Sequence, residues 1–294
     1  MGTRNGDRLI VVTGATGKQG GATARHLLQK GFQVRGVTRD PASPAARSLG
    51  EAGASLIQGD LDDRTSLDAA LEGADGAFSV QNFWETGYER EIEQGIRFAD
   101  AASAAGIGHF VYASVGSAHR DTGLSHFESK WKIENHIRGL GLPYTVLRPV
   151  FFMENWEGPF LRPSILSGTL ALPLDRATNF QQIAVDDIGS IAASAFEDPD
   201  RWVRREVDLA GDEGSIADIA ETFARVIGRP VAYNQVPWDD YRQAAGDEYH
   251  DMFRWFQDVG YDVDVPGLRS EFAQLTSFAD YLKRHGWEGA EAAG

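Results

Sequence analysis

The sequence predicts an α/β fold: a doubly wound parallel sheet, followed by a smaller, mixed and mostly helical C-terminal domain. Three observations carry this. Short apolar runs recur through the first half with helical patterns between them. The first run leads straight into a glycine-rich turn, and the alternation stops after Pro149. Strands of a parallel sheet are covered by helices on both faces, so they need apolar residues at successive positions rather than at every second one.

Taken in order, the run LIVVT at 9–13 is the first strand, and after the glycine turn a helix is expected near 21–30, ending at Gly31. Further strand-like runs lie at 33–37, 55–58, 77–80, 109–113 and 144–147, with helical patterns at 66–71, 89–105 and 125–138. Residues 151–163 mix aromatics, glycine and prolines, which predicts an irregular connection passing over a cleft. Residues 183–196 read as a strand running into a helix that returns to the core. The first domain is therefore placed at 1–150 with a return segment at about 180–197, and the second at 151–294. Residues 215–227 form an amphipathic helix with Ser215 as N-cap and Gly228 as stop. A strand follows at 231–236, and 238–285 is mostly helical and rich in aromatics. The closing GAEAAG reads as a frayed tail.

Composition narrows the function. The net charge is −15, with a pI near 4.9. Such a chain repels phosphate backbones and anionic lipid, which argues against nucleic-acid and polybasic membrane partners. There are no cysteines, so disulfides, thiolate metal sites and a cysteine nucleophile are excluded. Histidines are scattered with no carboxylate–histidine spacing of a metal site, so no metal is expected. The start lacks a secretory pattern, Gly6 stands where a myristoylation motif wants Ser or Thr, and no run approaches a membrane span. The expected location is the cytoplasm.

The chemistry concentrates in TGATGKQGG at 13–21. Gly14, Gly17 and Gly20 follow a strand and open a helix, the context in which such glycines permit a tight turn, close backbone approach to a pyrophosphate and close helix–strand packing. The helix start aims backbone N–H groups at phosphate. Lys18 either assists there or is an ordinary solvated lysine. At the end of the second strand, Arg39 matches the fork geometry of a ribose 2′-phosphate and favours NADP(H) over NAD(H), by at least about tenfold in affinity. With Asp40 inward and Arg39 outward the preference reverses. Asp60, after the third strand, either accepts from the adenine amino group or caps the next turn, with Leu61 beside the ring. After the fourth strand, Gln81-Asn82-Phe83-Trp84 crosses the nicotinamide side, with Phe83 and then Trp84 as aromatic contacts or as core.

Together, TGATGKQGG, Thr38-Arg39-Asp40-Pro41, GDLDD at 59–63, VQNFWE at 80–85, Lys130 and GLPYTVLRPVFFMENW at 141–156 resemble the NmrA-like family of atypical short-chain dehydrogenase/reductases, closest to its NADPH-sensing members. The resemblance covers most of the chain and weakens toward the C-terminus. It implies a Rossmann-type domain plus a smaller domain, with NADP(H) in a cleft between them. By residue match the cofactor set is Gly14, Thr16, Gly17, Lys18, Gln19, Gly20, Arg39, Asp60, Leu61, Gln81, Asn82, Phe83, Lys130, Phe152 and Asn155. The resemblance also implies a monomer or weak homodimer. Its members divide into regulators that bind dinucleotide and protein partners without turnover, and reductases of quinones, dyes or conjugated phenolics.

The stretch SHFESKWK at 125–132 bears on that division. Related dehydrogenases carry Tyr-x-x-x-Lys here, whereas this chain has His126 and Lys130. Ser125 and Glu128 read as a capping box that starts a helix. Glu134, four residues beyond Lys130, offers an ordinary helical ion pair as the bland alternative to a ribose contact. His126 is a catalytic acid, a polar cleft-lining residue or a surface histidine, although a helix start and a nearby ammonium both disfavour its charged form. Ser114 occupies the place from which related reductases polarise a carbonyl, or else it caps the turn before Gly116. The catalytic candidates are thus Lys130, His126 and Ser114. Hydride transfer to a small, flat, apolar conjugated substrate requires mainly a pocket, with walls expected from Phe83, Trp84, Phe152, Trp156, Met252, Phe253 and Trp255. The alternative is a redox sensor acting through a protein partner.

Overall fold

A computed structural model describes residues 5–291. The last three residues of the closing GAEAAG, like residues 1–4, lie outside them. The first half runs β1 (Leu9–Val12), α1 (Lys18–Gln29), β2 (Gln33–Thr38), α2 (Pro44–Glu51), β3 (Ser55–Gln58), α3 (Arg64–Leu71), β4 (Gly76–Ser79), α4 (Phe83–Thr86), α5 (Tyr88–Ala104), β5 (His109–Ala113), α6 (Ser125–Gly139) and β6 (Tyr144–Pro149). The second half runs β7 (Phe151–Phe152), α7 (Leu161–Leu166), β8 (Thr169–Leu172), β9 (Asn179–Ile183), α8 (Val185–Glu197), α9 (Pro199–Trp202), β10 (Glu206–Leu209), β11 (Asp212–Ser215), α10 (Ile216–Ile227), β12 (Ala232–Gln235), α11 (Trp238–Ala245), α12 (Asp247–Asp258), α13 (Val265–Glu271) and α14 (Phe278–Arg284).

The chain divides into two compact units. The first holds the described residues to Pro149 together with Ile188–Asp208; the second holds Val150–Asp187 and the remainder from Leu209. In the first unit a seven-stranded sheet has the order β10-β6-β5-β4-β1-β2-β3, and every register pair among β1 to β6 is parallel. This is a Rossmann-type, doubly wound sheet, and its order reverses between β1 and β4. Alternate residues of each strand feed two cores. Val11, Ala77, Phe110 and Tyr112 face α3, α5 and α6, contributing to a cluster with Leu67, Phe98, Ile133 and Ile137. On the opposite face Phe196 of α8 lies against Gly76, where an added Cβ would stand 2.9 Å from its ring. A side chain at Gly76 would push α8 off the sheet.

The second unit carries a three-stranded sheet (β11-β9-β7), a two-stranded one (β12-β8) and helices. Its core is aromatic: Phe151, Trp156, Phe180, Phe223 and Phe278 are all buried and stack edge to face or at a tilt. The capping reading of α10 holds, because Ser215 and Asp218 exchange side-chain and backbone bonds and Gly228 closes the helix in the left-handed region.

Three expectations are corrected. α1 starts at Lys18, three residues before the expected position, because Gly20 and Gly21 are taken into its first turn despite their low propensity. Residues 151–163 are not an irregular connection: they hold β7, a 3-10 turn at Met153–Glu157 and the start of α7, with Phe151, Met153 and Trp156 buried. Aromatics there are held by the core, which local turn signals do not report. The segment returning to the first unit is longer than 180–197 and shifted, since it ends in β10, which extends the sheet beside β6. No helix among the described residues is long and apolar enough to cross a membrane.

Candidate functional site

The turn after β1 is built by glycine. Gly14 has φ +58°, and its carbonyl accepts from Gly17 N at 2.8 Å. Gly20 passes so close to that carbonyl that an added Cβ would stand 2.3 Å from its oxygen. Helix α1 therefore begins against the end of the strand. Its N-cap, Gly17, offers no side chain to the first-turn N–H groups. Thr16, Gly17 and Lys18 are exposed. The Thr13 hydroxyl accepts from Val80 N at 2.9 Å, joining the ends of β1 and β4 where the strand order reverses. Near this junction two buried amide oxygens, Oε1 of Gln19 and Oε1 of Gln81, have no hydrogen-bond partner among the described residues. Buried acceptors left unpaired are costly. A ligand that donates to them would remove that cost.

The ends of β2 and β3 border an open surface pocket of about 350 Å³ lined by Arg39, Gln58, Gly59, Asp60, Asp63 and Ser66. Asp40 is turned into its own backbone, accepting from Ala42 N at 2.9 Å. Arg39 instead lines the pocket and pairs with Glu85 of α4 at 3.2 Å, both side chains being exposed. Asp60 accepts from Asp62 N at 3.0 Å, so it caps the following turn while also lining the pocket. The Leu61 carbonyl is gripped by Arg97 of α5 at 2.7 Å. Asp62, hydrogen-bonded by Arg90 and then by Gln94 and Arg97, has its carboxyl held below the usual range against the cost of burial.

After β4, Gln81 is buried and Asn82 caps α4 by accepting from Trp84 N at 3.2 Å. Phe83 and Trp84 meet edge to face, with centroids 5.4 Å apart. His126 sits against both, at 5.6 and 5.2 Å. His126 is buried, 6% exposed, and also touches Phe127. The surface-histidine reading is therefore excluded, and the ring stands in an aromatic cluster of which Trp84 is the exposed edge.

Helix α6 differs locally from its sequence reading. Ser125 is the first helical residue and makes no capping bond, because Leu124 is the extended N-cap. Glu128 reaches back to Gly123 N and the Thr122 hydroxyl instead. Lys130 does not pair with Glu134. Its Nζ donates to Oε1 of Glu91 on α5 at 2.7 Å, and Ser129 Oγ donates to the other oxygen of the same carboxylate. Glu134 is occupied by Arg138 and Arg148, at 2.6 and 2.7 Å. Ser114 Oγ donates to Glu134 at 2.5 Å, so its hydroxyl hydrogen is committed to this buried network and does not cap the turn before Gly116. The network continues to Glu206, whose carboxyl is held down to about 2 by the hydrogen bond from Arg138, with Arg148 and Tyr144 adding to it. Tyr112 is fully buried near both Glu91 and Glu134. Burial, and then Glu91 and Glu134, push its phenol well above the ordinary value, and its OH has no partner among the described residues.

In the second unit Phe152 is half-buried on β7, and Asn155 lies in the turn that follows. Trp156, Met252, Phe253 and Trp255, expected as pocket walls, are all buried. Trp156 donates to Gln182 at 2.8 Å and is enclosed by Phe151, Phe180, Phe223 and Phe278. These residues belong to the buried core of the second unit, together with aliphatic residues such as Ile183 and Ile219. Among the described residues no three metal-ligating side chains converge. Glu91, Glu85 and Arg97 were not singled out from the sequence. On exposed-looking helices rich in Glu and Arg, nothing local distinguishes them.

Comparison with known proteins agrees with this geometry. The model of the NmrA-like family matches residues 6–282. The NmrA-like family domain-containing oxidoreductase FrzB of Cladobotryum sp is 32% identical over 91% of this chain and 90% of its own length. Among solved structures, the Citrobacter sp. triphenylmethane reductase complexed with NADP(H) superposes with a TM-score of 0.81 at 20% identity, covering 94% of this chain and 99% of that one. NmrA, a negative transcriptional regulator solved in complex with NADP, does so with a TM-score of 0.76 at 23% identity, covering 95% and 98%. The parallel sheet with its glycine turn at the point of strand reversal, and the match over almost the whole sequence, lead to one conclusion: the chain belongs to the NmrA-like family.

Proposed function

We propose that this chain binds NADP(H) along the carboxyl edge of its seven-stranded sheet and passes hydride from NADPH to a flat conjugated acceptor such as a quinone, an enone or a dye. The observation that carries the reading is the convergence of strand ends at the reversal point. The glycine turn follows β1, Arg39 follows β2, Asp60 follows β3, and Gln81 to Phe83 follow β4. Ligands of open parallel sheets bind in this place. The unpaired oxygens of Gln19 and Gln81 support it, since they are acceptors for the carboxamide, ribose hydroxyl or water that accompanies a dinucleotide.

Each residue then has a task. The first-turn N–H groups of α1 face the pyrophosphate. Arg39 exchanges its exposed Glu85 partner for the 2′-phosphate. Lys130, with one of three N–H groups on Glu91, has two left for the nicotinamide ribose hydroxyls. Phe83, Trp84 and His126 provide an aromatic wall with one polar edge. The bound dinucleotide supplies the hydride. The proton, needed once charge has moved onto the acceptor, comes from water or through the ribose hydroxyl that Lys130 holds. No tyrosine is required for an acceptor of this class.

The oxidoreductase names of the curated relatives, such as FrzB, favour turnover. Two observations favour a second reading, a redox sensor acting through a protein partner: His126 replaces the tyrosine, and a regulator is among the structural neighbours. Steady-state NADPH oxidation with a panel of quinones and triphenylmethane dyes separates the two. Turnover that is lost in Lys130→Ala supports the reductase. Tight NADPH binding with no turnover above the enzyme-free rate overturns it in favour of the sensor.

A further inference from the structure

Resting on the NADP(H) reading above, we infer that Glu91 is a positioning residue: it fixes the Lys130 ammonium at the nicotinamide ribose, so it governs affinity for the nicotinamide half of the dinucleotide and leaves the adenosine half untouched.

The arrangement is specific. Glu91 is fully buried in the first turn of α5. Its two oxygens are divided between neighbours on α6: Lys130 Nζ at 2.7 Å and the Ser129 hydroxyl. The Lys130 side chain keeps 13% of its surface exposed while Glu91 keeps none, so the pair is closed on the carboxylate side and only the lysine side chain retains access to solvent. The two helices are brought close by Gly95, one turn beyond Glu91, where an added Cβ would stand 2.5 Å from Ile133 Cδ1. That contact holds Glu91 level with Lys130. A buried ion pair is a poor device for stability alone, since desolvation offsets most of the attraction. A same-helix partner at Glu134 also stood available to Lys130, yet it is spent on Arg138 and Arg148. What the pair does accomplish is to hold a flexible four-carbon side chain in one place.

The test measures binding by the full-length chain of two probes, NADPH and adenosine 2′,5′-bisphosphate, the second lacking the nicotinamide riboside. In Glu91→Gln, NADPH is expected to weaken about tenfold, the worth of one charge-assisted hydrogen bond, with the bisphosphate unchanged within about twofold. In a Lys130→Met background, Glu91→Gln is expected to weaken NADPH no further, because the two residues act as one unit. Equal weakening of both probes, no weakening of NADPH, or a full additional loss in the Lys130→Met background overturns the inference. If Glu91→Gln does not fold, Ser129→Ala keeps the charge pair and loosens only the carboxylate. It is expected to weaken NADPH two- to threefold or so, by loss of part of a hydrogen bond, again sparing the bisphosphate, and an unchanged ratio refutes Glu91. Wild-type chain that takes up neither probe overturns the NADP(H) reading and the inference with it, whereas Lys130→Met that binds NADPH as tightly as wild type leaves NADP(H) binding standing and overturns the inference alone.

Discussion

Acidification to pH 5 should weaken this protein through a single histidine far from the proposed ligand edge. Thr145 Oγ1 gives its one hydrogen to the Trp202 carbonyl at 2.7 Å, so toward His109 Nε2, 2.8 Å away, it must act as acceptor. His109 is therefore neutral with its proton on Nε2. The lone pair on Nδ1 has no partner among the described residues, and the ring lies against Phe196. Protonating Nδ1 would place a charge in a dry layer beside β5 and β6, with Arg8 adding repulsion. Burial first, and Arg8 second, push the imidazole from 6.5 down to about 4. A depressed folded-state value means that the unfolded chain takes up the proton first, so stability is full above about 6.5 and is lost as pH falls toward 4. Between pH 7.5 and pH 5 the loss comes to about 2 kcal/mol, approaching about 3.4 kcal/mol below pH 4. His109→Gln keeps an N–H for Thr145 and does not titrate. Urea unfolding of both proteins at the two pH values isolates the effect, since every other group titrates in both. Wild type should lose about 2 kcal/mol more than the variant. Parallel losses would refute both the tautomer assignment and the dry site.

Three further outcomes are expected. Arg39→Ala should lower the ratio of NADPH to NADH affinity by roughly tenfold through loss of a charged hydrogen-bonding pair, read by calorimetry with both cofactors; an unchanged ratio removes Arg39 from the 2′-phosphate. Gly20→Ala sets a Cβ 2.3 Å from the Gly14 oxygen and 2.5 Å from that of Thr13. It should displace α1 from the turn and abolish the thermal shift produced by NADPH, while Gly31→Ala, whose Cβ would meet nothing within 4 Å, should cost only the strain of its positive φ and keep that shift. Arg148→Met leaves the buried Glu134 with a weakened set of donors and should destabilise by about 3–5 kcal/mol in urea unfolding, whereas Glu134→Gln with Arg148→Met should recover part of that loss.

Local chemistry made much of this molecule legible in advance. The inner strands β1, β4, β5 and β6 are buried almost throughout and show as mainly apolar runs, because a strand covered on both sides has no polar face. Strand β2 and the edge strand β3 instead carry polar residues at their exposed positions. The glycine turn shows because close approach of α1 to β1 tolerates no side chain at Gly20. Caps such as Ser215 and Gly228 act within four residues, the range that a sequence displays directly. Arg39 and Asp40, adjacent in sequence, could be told apart only by which one the backbone turned toward the pocket.

Other pairings were decided by tertiary structure. Lys130 bonds to Glu91, 39 residues away, rather than to Glu134 on its own helix, because the α5–α6 contact at Gly95 brings one carboxylate near while β6 supplies Arg148 to take the other. Ser114 was drawn into that same network, and the aromatics after Pro149 became a core instead of a pocket wall. A side chain's local preferences are worth a few tenths of a kcal/mol. The pairing of a buried charge is worth several. Where the two compete, the partner is chosen by the topology that removes water, and no short window of residues contains it.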